Sequence, residues 1–128
     1  MVKKNIHTNQ QFQCNNETDL HCSVVKFFKK KYPGIIFIVG LGELQDTPSK
    51  RISSYKKGYR GGQPDLWILH PSDDFSGMAI EFKNPNRSGR LSSNQDNFCN
   101  DLQEKCNFNV LISNDYDEII LSIYDYLS

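Results

Sequence analysis

The sequence predicts an α/β domain with element order α-β-β-β-α-β-α: a small mixed sheet flanked by helices. Three observations carry this. Apolar residues recur at helical spacing in three separate segments, near residues 17–31, 92–106 and 116–127. Short runs of β-branched and aromatic residues lie between them. Two of these runs, Leu66–Leu69 and Met78–Phe82, flank Pro71–Gly77, a stretch of turn formers, and so read as a hairpin. Helices before and after a set of strands suit a sheet covered on both faces. A chain of 128 residues fits one domain. The expected division is a flexible segment over 1–14 and a single domain over 15–128.

The first helix is expected over Glu17–Lys31, with Leu20, Val24, Phe27 and Phe28 as its apolar stripe. Lys29, Lys30 and Lys31 suit its C-terminal end, and Pro33-Gly34 stops it. Glu17 falls one turn before Leu20 and His21, along the buried stripe. A glutamate there also offsets the helix dipole. Ile35–Val39 is a continuous apolar run, expected to be a buried strand. Gly40, Gly42 and the polar stretch Gln45–Ser54 predict a long loop, a feature that is usually functional. It leads into Tyr55-Lys56-Lys57-Gly58-Tyr59-Arg60-Gly61-Gly62. Basic residues interleaved with tyrosines suit phosphates and exposed bases.

In the hairpin, strand alternation puts Ala79, Glu81 and Lys83 on one face and Met78, Ile80 and Phe82 on the other. Asp65 shares a face with Trp67 and Leu69. Both faces of that strand are apolar, which predicts cover on both sides. Carboxylates at the end of such strands cost desolvation energy unless compensated. A hard divalent cation compensates them, because it takes carboxylate and carbonyl oxygens. Ser92 and Gln95 have capping-box spacing for the next helix. Gln95, Phe98, Cys99, Leu102 and Cys106 form its stripe, so Gln95 also points toward the sheet near Glu81 and Lys83. Asn107 is the expected C-cap, Phe108–Ser113 the fourth strand. Asp115-x-x-Glu118 opens the last helix, with Tyr116, Ile119, Ile120, Ile123 and Leu127 inward.

Formal charge is zero, but it is segregated along the chain. Lys50, Arg51, Lys56, Lys57, Arg60, Lys83, Arg87 and Arg90 surround the hairpin, while acids dominate beyond Gln95. A basic front of this kind holds phosphates. The four cysteines lack Cys-x-x-Cys spacing, which argues against a zinc site, and Cys99 and Cys106 read as core residues. No apolar run is long enough for a membrane span and the N-terminus lacks a signal-peptide core, so an intracellular protein is expected.

The wording Gly61-Gly62-Gln63-Pro64-Asp65-Leu66, then Ala79-Ile80-Glu81-Phe82-Lys83, resembles the signature of the PD-(D/E)XK nucleases, and most closely its VRR-NUC (virus-type replication–repair nuclease) branch. The resemblance continues through Leu91-Ser92-x-x-Gln95 to the last strand and helix, from about residue 15 to residue 127. It implies a restriction-endonuclease-like core and an enzyme dependent on Mg²⁺ or Mn²⁺. It implies catalytic roles for Asp65, Glu81, Lys83 and Gln95. It implies metal ligation by Asp65, Glu81, the Phe82 carbonyl and Glu17, with Asp19 as the alternative helix acid. The DNA contacts it leaves to Lys50, Arg51, Lys56, Lys57, Tyr59, Arg60, Arg87 and Arg90. Stand-alone members resemble homodimers that cut branched DNA, four-way junctions or flaps, in replication, repair or recombination. No small-molecule cofactor or membrane partner is implied. Two other readings stay open: a catalytically idle DNA-binding or adaptor module, and an RNA-cleaving nuclease of the same fold.

Overall fold

The computed structural model describes residues 14–42, 45–86 and 90–128. In chain order they form α1 (Glu17–Lys31), β1 (Phe37–Val39), α2 (Pro48–Lys56), β2 (Leu66–Ile68), β3 (Gly77–Phe82), α3 (Ser93–Cys106), β4 (Phe108–Ser113) and α4 (Tyr116–Leu127). The sheet order is β1-β2-β3-β4. The pairs β1/β2 and β2/β3 are antiparallel, and β3/β4 is parallel with α3 as its crossover. This is the mixed, helix-flanked sheet that the apolar pattern predicts.

Strand alternation divides the sheet into two faces. Leu66, Ile68, Met78, Ile80 and Phe82 point to one. They meet Leu20, Val24 and Phe28 of α1 and Ile119, Ile123 and Tyr126 of α4 in one buried cluster. Fully burying each aliphatic or phenyl side chain stabilises by about 1.5–3 kcal/mol, so this face holds the fold together. The other face carries Trp67 opposite Ala79, and Ala79 beside Val110. Here α3 covers the sheet: Phe98 meets Trp67 edge-on, with ring centroids 5.8 Å apart. The chain ends of the helices are fixed locally. Asn16 accepts from the Asp19 N–H at the start of α1. Asn107, at φ 57°, closes α3 in the left-handed conformation that asparagine tolerates.

Three features differ from the sequence pattern. Polar composition over Gln45–Ser54 predicts a loop, yet Pro48–Lys56 is helical. Thr47 accepts from the Lys50 N–H, and Pro48 stands at the first helical position. These start signals outweigh the lack of an apolar stripe. Ile35–Val39 is not a buried strand. Its strand is short and lies at the sheet edge, leaving Ile38 and Val39 about half exposed. Cys99 is buried as expected, but Cys106 is exposed, because the buried stripe of α3 ends at Leu102.

Candidate active site

The ends of β2 and β3 and the first turn of α3 converge on the sheet face opposite the main core. The β2/β3 register pairs Leu66 with Ile80, so Asp65 and Glu81 are the next residues out and share the α3 side. Asp65 is half-buried, and its Oδ2 accepts from the Phe82 N–H at 2.9 Å. The N–H and C=O of one strand residue point the same way, so the Phe82 carbonyl faces the Asp65 side too. The peptides before and after Asp65 are each held. Trp67 Nε1 donates to the Pro64 carbonyl at 3.0 Å, and the Gly40 N–H donates to the Asp65 carbonyl at 2.9 Å. A side chain at Gly40 would put Cβ 2.3 Å from the Pro64 oxygen, so only glycine lets β1 end there.

Glu81, Lys83 and Gln95 form a closed polar group. The Glu81 and Lys83 side chains are only 4% and 11% exposed, with Lys83 Nζ 3.5 Å from Glu81 Oε2. Gln95 Nε2 donates to the same Glu81 oxygen at 2.8 Å, and Lys83 Nζ donates to Gln95 Oε1 at 3.1 Å. That amide oxygen also accepts from the Ser92 N–H at 3.0 Å, completing the capping box. The capping role and the site role therefore coexist in one side chain. Gly62 fixes where this helix begins. It sits at φ +89°, and a Cβ there would lie 2.2 Å from the Asn94 carbonyl oxygen and 2.8 Å from the Gln95 nitrogen.

Burial and then Asp65 push the Glu81 carboxyl up to about 8; Lys83 pulls it back less strongly, and Glu17 adds a small upward push. The ion pair with Lys83 does not offset the desolvation. The second carboxylate oxygen, Glu81 Oε1, is buried without a hydrogen-bond partner.

These features fit a divalent cation. An unpartnered buried carboxylate oxygen, a second carboxylate on the adjacent strand and a carbonyl on the same side are oxygen donors of the kind hard cations take. Asp65, Glu81 and Phe82 are thus brought together. Among the described residues, no three His, Cys, Asp or Glu side chains are grouped so as to hold a metal. Glu17 is thus not grouped with Asp65 and Glu81 in that way. It also does not lie on the buried stripe of α1 as its spacing suggests: it is exposed in the first turn, and the stripe begins at Leu20. Its charge still reaches Glu81. Asp19 is engaged at the helix start, accepting from the Asn15 N–H.

The basic residues lie outside this group. Lys50, Arg51 and Lys56 are exposed on α2, and Lys57 caps it. Lys50 pairs with Asp46, and Arg51 donates to the Gln45 carbonyl. Arg60 is not a free cation: it bonds Asp101 at 2.8 Å and lies 4.8 Å from the Phe98 ring centre. Tyr59 is half-buried against Tyr55, Arg90 is exposed, and Arg87 lies outside the described residues. Two contributors escape the motif reading. His21 packs on Phe82, with ring centroids 4.7 Å apart, and Trp67 holds the Pro64 carbonyl. The spacing of His21 four residues after Glu17 is the signal for the first. For Trp67 the signal is its place on the Asp65 face.

Among curated proteins, none matches the chain. A solved structure described as a VRR_NUC domain protein superposes with a TM-score of 0.71 at 20% identity, covering 88% of each chain. At that identity the likeness speaks for the fold. The family model described as VRR-NUC domain matches residues 10–115, which contain Asp65, Glu81, Lys83 and Gln95. The protein belongs to the VRR-NUC domain family, nucleases of the PD-(D/E)XK type.

Proposed function

We propose that the protein is a divalent-metal-dependent endonuclease that hydrolyses phosphodiester bonds in branched DNA, four-way junctions or flaps. The observation that carries this is the buried Glu81–Lys83–Gln95 group with its unpartnered Glu81 Oε1 beside Asp65. A surface ion pair contributes about 0–1 kcal/mol and needs no such burial. A buried one that remains incompletely satisfied suits a site whose last partner arrives as a ligand.

Asp65, Glu81 and the Phe82 carbonyl would hold Mg²⁺ or Mn²⁺, with Glu17 at the margin. Such an ion supplies Lewis-acid charge at the phosphate and lowers the pKa of bound water. The chain's own residues do the rest. Asp65 is oriented by the Phe82 N–H. Lys83 presents an ammonium, held by Gln95 Oε1, to the charge that develops on the phosphate. Gln95 keeps Glu81 and Lys83 at fixed depth and orients the phosphate or the water. Exposed Lys50, Arg51, Lys56, Lys57 and Arg90 supply backbone contacts, which position the strand without reading sequence. A twofold homodimer would set two such sites on the two strands of a junction.

The test is cleavage of labelled linear, flap, splayed and four-way DNAs, with RNA hairpins alongside. Cutting of the branched DNAs with Mg²⁺ or Mn²⁺, and none in EDTA, is expected. Cutting that survives chelation, or binding of every DNA with no cutting in either metal, overturns the reading.

A further inference from the structure

A cleft of about 400 Å³ lies between the loop after α2 and the first turns of α3, lined by Tyr55, Tyr59, Arg60, Gly61, Asn94 and Asn97. Its walls differ in chemistry. On one side Tyr55 is more than half exposed and is backed by Tyr59, with ring centroids 5.7 Å apart. On the other side Asn94 and Asn97 are exposed, three residues apart and so on one face of α3. Each amide carries both donors and an acceptor. Between the walls stands Gly61. A Cβ there would lie 3.5 Å from Tyr55 Oη and 3.6 Å from Asn94 Nδ2, so the missing side chain keeps the tyrosine and the amide facing open space. Arg60, tied to Asp101 and Phe98, is a fixed wall, and exposed Lys56 and Lys57 directly follow Tyr55 in the chain.

The cleft shares a wall with the candidate site. Asn94 directly precedes Gln95, and Gly62 packs on the peptide that joins them. A nucleotide seated in the cleft is therefore one residue along α3 from the amide that bridges Glu81 and Lys83. An aromatic face, amide donors and acceptors, and the cations that follow Tyr55 together match one ligand: a nucleobase freed from its stack.

We propose that this cleft binds an unpaired base of the substrate strand, stacked on Tyr55 and hydrogen-bonded at its edge by Asn94 and Asn97. The proposal rests on the nuclease reading and specifies what that site takes. Branch points, flaps and splayed arms offer unpaired bases, and continuous duplex does not. Discrimination for branched DNA then comes from a base that must leave the stack, at a cost smallest where it is already unpaired.

The test uses the wild-type chain in EDTA, where binding is read without cutting. Oligodeoxynucleotides carry 2-aminopurine at an unpaired position, in a single strand and in a splayed duplex. Stacking on tyrosine quenches this base. The expected result is quenching on binding, with none for 2-aminopurine inside a continuous duplex. Tyr55→Ala should abolish the quenching and weaken single-strand affinity about 5- to 150-fold, the range for one lost base stack. Tyr55→Trp should retain both. Gly61→Leu fills the cleft from a position without left-handed backbone and should also abolish the quenching. Its circular dichroism reports whether the fold is intact, and Gly61→Ala gives the milder version. Quenching that survives Tyr55→Ala, or equal affinity for a strand with an abasic residue at the probe position, overturns the proposal. Failure of the nuclease reading looks different: quenching intact, and no DNA cut with Mg²⁺. Cleavage without quenching overturns the cleft and leaves the nuclease standing.

Discussion

Glu81→Gln should make the metal-free protein more stable at neutral pH while removing cleavage. The Glu81 carboxyl ionises at about 8 in the folded chain, against 4.5 ordinarily. Its folded value lies above its unfolded one, so at neutral pH the folded chain holds a proton that the unfolded chain has lost. This contribution to stability is full below about pH 4.5, falls as pH rises, and levels off above about pH 8. At 1.36 kcal/mol per pH unit, the loss by pH 7 is about 3 kcal/mol. Burial and Asp65 cause it, and glutamine removes the charge without changing the size. The new amide oxygen can still accept from Gln95 Nε2, so the hydrogen bond survives. The variant should gain up to about 3 kcal/mol at pH 7 and lack the pH slope.

Urea unfolding in EDTA, at several values between about pH 5 and pH 8, measures this, and the wild-type-minus-variant difference isolates Glu81 from every other titrating group. A second arm adds Mg²⁺ or Mn²⁺. Wild-type stability should rise with the logarithm of metal concentration once it exceeds Kd, and the variant's should not. A variant no more stable than wild type at pH 7, with the same slope, refutes the reasoning that Glu81 is held against its ionisation.

Lys83→Ala should lower the single-turnover cleavage rate about 10²- to 10³-fold while DNA affinity in Ca²⁺ changes little, because in the proposed function the exposed lysines of α2 would carry the phosphate contacts. Gln95→Ala removes both a helix cap and a donor to a buried carboxylate. It should cost about 2–4 kcal/mol in urea unfolding, whereas Gln95→Glu keeps the cap and recovers stability only toward low pH. Gly62→Ala forces a Cβ against the Asn94 carbonyl at φ +89° and should cost about 1–3 kcal/mol and reduce cleavage. Glu17→Ala should weaken metal affinity in calorimetry and Asp19→Ala should not; the reverse order would reassign the helix acid.

The fold was legible wherever burial sets a period. Leu20, Val24 and Phe28, and Ile119 and Ile123, repeat at helical spacing because one face of each helix meets the sheet. The strand β2 read as apolar on both faces because α1 and α4 cover one face of the sheet and α3 the other. The helix α2 was not legible this way: it buries none of its residues, so it has no period to display. Only Thr47-Pro48 marks it. The strand β1 misled for the opposite reason. Its apolar composition promises burial, but composition cannot say that a strand pairs on one side only. At the site, Asp65, Glu81 and Lys83 stood out as charges in apolar strands. The exposure of Glu17 did not, because position on a helical stripe does not tell how far the covering layer extends.

Gln95 is the residue at which local and long-range structure become one constraint. Its side-chain oxygen accepts from the Ser92 N–H, which fixes the first turn of α3, and from Lys83 Nζ, which belongs to β3. Its amide nitrogen donates to Glu81. A helix started one residue later would rotate position 95 by about 100° about the helix axis, carrying that amide off the strand. Gly62 opposes such a shift, since its backbone lies against the Asn94–Gln95 peptide with no room for a Cβ. The chain after Gly62 then runs directly into Pro64 and Asp65, held by Trp67 and Gly40. One short path therefore couples the start of α3 to both carboxylates. This explains why the glycines belong with Asp65, although neither carries a side chain to do chemistry.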